Sequence, residues 1–400
     1  MKQDTLESRA ITKNGVKRLC FSGFCILLEA AFIIVMITRL NEYAEIINLI
    51  TRLFAGILVL FLYSTDKTSS MKMPWIILIL VFPIMGVSLY LLIGLNGGTR
   101  KMKQRYIDID RKLLPLLPEN EEDLERIKKK IPKAGNISEY IQKNSHSPVY
   151  QNTDVTYYDE AIKGLHAQID DLSKAEKFIF MEYFIIERGE MLDSIVEILE
   201  EKAAKGLDVR FMYDSFGSIL KAPGDFVRQM RAKGIKCYEF NTFRSILDSR
   251  YNNRDHRKIC VIDGNVGFTG GVNLADEYIN RKVVYGHWKD TAIMIKGEAV
   301  WSLTTMFVTL WDSSFNQTDN LYDYIPTKEF NYNDGYFAPY TDYPFDNEPA
   351  GKTVYYNMIN RANDYIYIMT PYLILDNVMI TALANAAKNG IDVRIITPGV

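Results

Sequence analysis

Covalent and metal-based reinforcement is what this chain has least of. Its four cysteines, Cys20, Cys25, Cys237 and Cys260, show neither the paired spacing of a zinc site nor the density of a disulfide framework, which argues against both kinds of stapled scaffold. They read as buried free thiols in a reducing compartment. Excess charge is also missing. With 47 Lys and Arg against 49 Asp and Glu, the net charge is −2, which excludes the strongly basic class and gives no reason to expect nucleic acid as a partner. A cleavable leader also fits poorly, because the first apolar run is long and no small-residue cleavage site follows it. Length is not lacking. Four hundred residues suggest two or three domains and a sizeable core.

Long apolar runs are what the N-terminal region has. Leu19–Ile37, Ile46–Tyr63 and Trp75–Leu95 are each near the ~20 residues a helix needs to cross a bilayer, and soluble cores rarely string three together. Lys2, Arg9, Lys13, Lys17 and Arg18 precede the first run, and Arg100, Lys101, Lys103 and Arg105 follow the third. The positive-inside bias therefore puts both the N-terminus and the large downstream domain in the cytoplasm. Three full crossings cannot do that. The third run carries Pro83 and Gly86 at its centre, where it could turn back on itself, and the second contains Arg52, costly at mid-bilayer, so the expectation is a multi-pass anchor in the cell membrane with two full crossings, one of these runs falling short. A charged connector follows, in which Glu119–Lys130 reads as a solvated helix between prolines.

The chemistry concentrates in Asn253–Asn273, N-R-D-H-R-K-I-C-V-I-D-G-N-V-G-F-T-G-G-V-N. Two β-rich runs, Lys258–Ile262 and Val266–Thr269, flank an Asp-Gly-Asn turn, a hairpin signal. With a two-residue loop at Gly264 and Asn265, Asp263 faces Val266, His256 faces Asn273 and Lys258 faces Gly271. Strand alternation then puts His256 and Lys258 on one face beside Asn273. Such a cluster offers an imidazole nucleophile, a cation and an amide donor. Gly270 and Gly271 would let an anionic ligand approach the backbone. The group suits attack on a phosphodiester through a phosphohistidine, with Lys258 and Asn273 stabilising the non-bridging oxygens and with no metal or cofactor needed. Asp263 either initiates the turn or accepts a hydrogen bond that orders the site. His146, His166 and His287 have no such company and read as ordinary structural histidines.

His256, Lys258 and Asp263 fit H-x-K-x-x-x-x-D, followed by Gly270-Gly271-x-Asn273. This resembles the phospholipase D superfamily, and the stretch to Tyr278, ending G-G-V-N-L-A-D-E-Y, is most similar to bacterial cardiolipin synthases. The apolar run W-I-I-L-I-L-V-F-P-I-M-G-V-S-L-Y-L-L-I-G resembles their N-terminal anchor. The resemblance implies phosphatidyl transfer between two phosphatidylglycerol molecules, giving cardiolipin and glycerol. It also implies two H-x-K motifs in one site, one histidine as nucleophile and the other as acid for the leaving alcohol. Other anionic phospholipids and the membrane surface are the expected partners.

From Val149 the pattern becomes alternating strands and helices, an α/β organisation with parallel strands. Phe178–Ile186, Leu207–Tyr213 and Ile235–Phe240 read as strands, and Met191–Lys205 and Asp225–Lys233 as helices. A-K-G-L-D-V-R at Ala204–Arg210 returns as K-N-G-I-D-V-R at Lys388–Arg394, 184 residues later. The expected fold is thus a duplicated phospholipase D-like α/β domain, its second copy incomplete, preceded by an α-helical membrane anchor. The divisions are 1–103 for the anchor, 104–148 for the connector, 149–334 for the first repeat and 335–400 for the start of the second. At the repeat spacing the second histidine would fall near residue 440, beyond Val400, so either the chain continues or a second copy in a homodimer supplies it. Without that acid the departure of the alcohol would slow by ~10²–10⁴.

Glu182 and Asp214, at the ends of parallel strands, are either ligand-binding carboxylates, as Glu182 is taken here for substrate, or hydrogen-bonded structural ones. Arg250, Arg254 and Arg257 crowd the motif entrance, where they attract headgroups or sit in a solvated loop. Trp288, Trp301, Trp311, Val300 and Phe307 read as core packing. Two rival functions stand beside the transferase. One is a membrane-anchored hydrolase of the same fold, in which water takes the intermediate; the other is a non-catalytic half-enzyme that binds anionic lipid.

Overall fold

A computed structural model describes residues 44–65, 69–91, 100–117, 120–242, 253–332, 335–343 and 348–399, and places Leu27, Ala31 and Ile34 in helix. Apart from those three residues the first apolar run lies outside the described residues, as do Cys20, Cys25 and Arg250.

The second apolar run forms α1 (Ala44–Ser64), and the third divides into α2 (Ser69–Val81) and α3 (Pro83–Leu89). The break at Phe82 follows from Pro83, which disfavours helical backbone in the residue before it. Gly86 then approaches α2 so closely that a Cβ there would lie 2.6 Å from Ile79 Cα, a contact only glycine permits. Ala55, Leu58 and Leu62 of α1 pack with Ile79, Val87 and Tyr90, and Trp75 meets Tyr90 edge-on at 5.4 Å. Lys72 closes the α1 C-terminus by donating to Tyr63 O at 3.0 Å and Thr65 O at 2.8 Å, which satisfies carbonyls the helix leaves open. Among the described residues no helix is long and apolar enough to cross a membrane.

Three charged helices come next, α4 (Arg100–Leu113), α5 (Glu121–Lys130) and α6 (Pro132–Ser145). The α/β part follows as β1 (Thr153–Tyr158), α7 (Ala161–Ser173), β2 (Phe178–Tyr183), α8 (Glu190–Ala204), β3 (Asp208–Asp214), α9 (Phe226–Ala232), β4 (Lys236–Phe240), β5 (Ile259–Ile262), β6 (Val266–Gly270), β7 (Ala292–Gly297) and α10 (Val300–Phe315). The chain then runs through α11 (Ala350–Arg361), β8 (Tyr365–Met369), α12 (Asn377–Lys388) and β9 (Asp392–Ile396). Seven strands form one mixed sheet in the order β1-β7-β6-β5-β2-β3-β4. Strand β3 runs parallel to β4, while β1, β5, β6 and β7 pair antiparallel.

Two compact units result. The first takes the chain up to Gln104 with Glu182–Lys258 and Val272–Lys289; the second takes Arg105–Met181, Ile259–Gly271 and Asp290–Val400. In the second, Phe180 stacks on Phe307 at 4.8 Å and Phe307 on Trp311 at 5.7 Å, around α10, whose Val300 and Trp301 are also buried. In the first, Phe226 of α9 meets Phe211 and Tyr213 of β3. Trp288 does not share in such a core; it is half-buried against Tyr278 in a loop. Cys237 and Cys260 are buried free thiols, and burial pushes both up to about 12.

The hairpin register differs from the sequence reading by one residue. Ile262 pairs with Val266 and Ile259 with Thr269, so the loop is Asp263-Gly264-Asn265. Asp263 and Gly264 both adopt positive φ, 53° and 67°, and Asn265 N donates to Ile262 O at 3.0 Å. This is a primed turn with one extra residue, and the Asp-Gly pair falls at its two left-handed positions. His256 and Lys258 precede the strand instead of lying in its ladder, so alternation along β5 is not what sets their direction.

The duplication is visible in fine detail. At the end of α8 Leu207 N donates to Lys202 O, and at the end of α12 Ile391 N donates to Ala386 O. Gly206 and Gly390 have φ of 89° and 91°. Arg210 binds Asp208 two residues before it, as Arg394 binds Asp392. In the second copy β8 and β9 form a parallel two-stranded sheet of their own.

Candidate functional site

The segment Asn253–Lys258 has no strand partner, and side chains fix its path. Asn241 Nδ2 holds Asn253 O at 2.7 Å, and Arg254 donates to Asn241 O at 3.1 Å. Asp214, at the end of β3 and fully buried, accepts from Asp255 N at 3.0 Å, and its other oxygen takes Phe216 N and Gly217 N. Burial pushes the Asp214 carboxyl up to about 6, against the pull of those amides and Arg254.

Along this segment Asp255 and Lys258 are buried and His256 is exposed. Asp255 and Arg257 turn inward, where Arg257 Nε lies 2.6 Å from Glu182 Oε1 and 3.2 Å from Asp255 Oδ1. Glu182 has no exposed surface. Burial drives its carboxyl well above the usual range, with Arg257 opposing and Asp255 adding to the rise. Glu182 is therefore an internal partner of Arg257, as the structural alternative for this carboxylate expects. Arg254 and Arg257 are each only 14% exposed in their side chains, so they do not form a headgroup-attracting rim.

His256 turns the other way and is exposed. Its ring packs edge-on against Phe184 at 4.6 Å, and Lys258 Nζ lies 5.4 Å from the centroid of that same ring while donating to His256 O. One aromatic side chain thus bears on both the imidazole and the ammonium. Desolvation lowers the His256 pKa, Lys258 lowers it further, and Asp255 opposes, so the ring is neutral and able to act as a nucleophile at neutral pH. Phe184 is in turn held by Ser218, whose Oγ donates to its carbonyl at 3.1 Å and accepts from Ile186 N at 3.1 Å.

Asn273 comes to the same strand end. Its Oδ1 accepts from Ile185 N at 2.9 Å and its Nδ2 donates to Tyr278 Oη at 2.8 Å. Main-chain bonds lock this loop to the residues after β2, with Leu274 N on Ile185 O and Glu187 N on Leu274 O. The buried Asn273 amide therefore has a bracing role at both ends. Phe184-Ile185 is the piece that ties His256, Lys258 and Asn273 together.

The remaining candidates lie in the second unit. Asp263 accepts Glu176 N at 2.9 Å, Lys177 N at 2.7 Å and Phe178 N at 2.9 Å, so its carboxylate orders the entry to β2. Gly270, at φ 150°, lies where a Cβ would come 2.6 Å from Thr291 O, and a Cβ on Gly271 would overlap the Asp290 carboxylate. Both glycines answer to packing against the chain at Asp290–Ala292. Among the described residues no group of three or more His, Cys, Asp or Glu could hold a metal ion.

Residues 168–311 and 355–400 match the family described as cardiolipin synthase, phospholipase D-like domain, and residues 53–94 match the phospholipase D-nuclease N-terminal family. A cardiolipin synthase of Halalkalibacterium halodurans is 31% identical over 356 residues, covering 87% of this chain and 69% of that protein. The chain belongs to the cardiolipin synthase family. Cardiolipin synthase 2 of Staphylococcus epidermidis is 30% identical over 91% of this chain and 75% of its own length. A Streptococcus mutans protein of no assigned function is 39% identical over 86% of this chain and 74% of its own. The chain thus spans about two thirds to three quarters of the length of these relatives. Sequence reasoning missed Asp255, Phe184, Ser218 and Tyr278. The motif spacing did not mark them, because hydrogen bonds to Asn241 and Asp214 and not strand pairing fix the path of Asn253–Lys258.

Proposed function

We propose that the chain is a phosphatidyltransferase that makes cardiolipin from two phosphatidylglycerol molecules. The observation that carries this reading is the exposed, neutral imidazole of His256 sharing the Phe184 ring with the Lys258 ammonium. An imidazole nitrogen bonds to phosphorus and glycerol leaves with a proton, which the family resemblance assigns to a second histidine. The hydroxyl of a second phosphatidylglycerol then displaces the imidazole and gives up its proton. Lys258 offsets the charge on the phosphoryl oxygens in both steps. Asn273, Asp263, Glu182 and the two glycines hold the framework in which His256 and Lys258 act.

The substrate class fits the N-terminal helices. Ile46, Leu49, Leu53, Ile57 and Leu60 expose an apolar stripe along α1, and Ile77 and Leu80 do so on α2, surfaces that find their solvent in lipid. We assign residues 1–103 to a cell-membrane anchor, 104–148 to a connector, and 149–334 and 335–400 to the two repeats, with the catalytic part on the cytoplasmic side. Confinement to the bilayer raises the effective substrate concentration. Incubating the reconstituted chain with labelled phosphatidylglycerol tests the reading. Labelled cardiolipin and glycerol are expected; phosphatidic acid alone would make the protein a hydrolase, and no turnover with intact lipid binding would leave it a lipid-binding protein.

A further inference from the structure

The loop that follows Asn273 carries a feature that phosphoryl transfer does not require. Arg281–Lys289 reads R-K-V-V-Y-G-H-W-K, and Val283 and Tyr285 expose 77% and 87% of their surface, with Val284 between them at 42%. Leu220, 66% exposed, precedes Lys221 in a neighbouring loop. Lys221 and Lys282 both bind the Glu187 carboxylate, which brings the two loops side by side. Contiguous exposed apolar residues with a polar rim mark an interaction surface.

The loop is braced at its base. Asn280, at φ 58°, clasps the Trp288 main chain with both ends of its amide, accepting from N at 2.6 Å and donating to O at 2.9 Å. Trp288 packs on Tyr278 at 4.9 Å, and Tyr278 Oη receives the Asn273 amide. The apolar tip is therefore fixed to the residue that braces the His256 segment. Arg281, Lys282 and Lys289 belong to the loop itself, and Lys221 stands beside it with its ammonium 2.6 Å from Glu277 and 3.4 Å from Glu187. Arg281 pairs with Glu190 at 3.2 Å and Lys282 with Glu187, but exposed pairs like the first are held weakly and yield to a competing phosphate.

We propose that Arg281–Lys289, together with Leu220, docks the enzyme on an anionic phospholipid surface: Val283, Val284 and Tyr285 enter the boundary between headgroups and acyl chains, and the surrounding cations meet lipid phosphates. Apolar residues with Lys and Arg beside them, and Tyr and Trp at the level between, are what an interfacial element requires. The net charge of −2 gives the molecule no general attraction to such a surface, so the orienting charge has to be local. This inference rests on the lipid-substrate reading above and adds to it the part of the surface through which lipid is reached.

The test uses the full chain reconstituted in vesicles of phosphatidylglycerol and phosphatidylcholine. A photoreactive benzoylphenylalanine replaces Tyr285, and in a separate sample Tyr322, which is similarly exposed at 60%. Irradiation should attach phospholipid at position 285 and not at 322. A protein adduct at 285, with a second copy or another partner, or no adduct, would overturn the proposal. The double variant Val283→Asp, Tyr285→Asp supplies a second measure. It should raise KM for phosphatidylglycerol in mixed micelles about tenfold and leave kcat/KM for monomeric short-chain phosphatidylglycerol unchanged. An equal loss on both substrates would show damage to the fold and count against the surface role. If wild-type protein turns over neither lipid, the transferase reading fails while the crosslink at 285 still decides the docking surface.

Discussion

His256 and Lys258 act on one another as well as on a ligand. Because Lys258 is the second cause of the lowered His256 pKa, the acid limb of kcat/KM should fall below the ordinary imidazole value of 6.5. Replacing the lysine, Lys258→Met, should move that limb up toward it while reducing kcat by about 10²–10³; a pH–rate profile of both proteins measures the two effects together. Beneath them, Glu182 compensates the Arg257 guanidinium from a fully buried position. Glu182→Leu removes the nearer of the two carboxylates that face that charge, Asp255 remaining at 3.2 Å, and a loss of about 3 kcal/mol is expected, read by denaturant unfolding; Glu182→Gln, which keeps a polar oxygen there, should lose less. Asp214 makes stability depend on pH. Its folded carboxyl keeps a proton to about 6 and an unfolded one releases it near 3.8, so unfolding releases protons between those values. Its contribution to stability should fall as pH rises through that window, by on the order of 3 kcal/mol; Asp214→Asn should make the slope in urea unfolding measured from pH 4 to 7 shallower, the rest coming from Asp110 and Glu182, whose carboxyls burial also raises.

Elements show where the sequence was legible and where it was not. The H-x-K spacing, the Asp-Gly turn and the alternating helices and strands were readable, because motif spacing and periodicity are local properties. Pro83 with Gly86 rightly marked a break in the third apolar run. The hairpin register was not readable, because a two-residue and a three-residue loop both satisfy Asp-Gly-Asn. What decides is the tertiary fit of the turn, in which Asp263 takes three amides at the start of β2. That fit also answers the open question about Asp263, which orders the chain from the turn. Asp263→Ala leaves three amides without their acceptor and should destabilise the protein by about 3 kcal/mol, seen as a lowered Tm. The roles of Glu182, Arg254 and Arg257 were hidden for a related reason. Charged residues near a motif read as a binding rim until burial shows them turned inward.

At the scale of the molecule the two copies of one design have different surroundings. All six residues of β2 are buried, whereas β8 alternates exposed and half-buried positions and β9 is mostly exposed. Two-stranded sheets are marginal alone, so amides of Tyr365–Met369 should exchange with deuterium well before those of Phe178–Tyr183. Comparable protection in the two strands would overturn that expectation. The repeat was legible because G-L-D-V-R returns as G-I-D-V-R, and the partial second copy was expected to leave apolar strand edges exposed.

The Asp-x-Arg bond at the start of β3 and of β9 has a consequence of its own. Its outside neighbours have changed, with Lys236 holding Asp208 in one copy and the Tyr367 hydroxyl holding Asp392 in the other. The clip itself has not changed, which makes it a portable part: two residues on one strand face that close on each other whatever stands beside them. A short peptide from either copy would be expected to keep the habit.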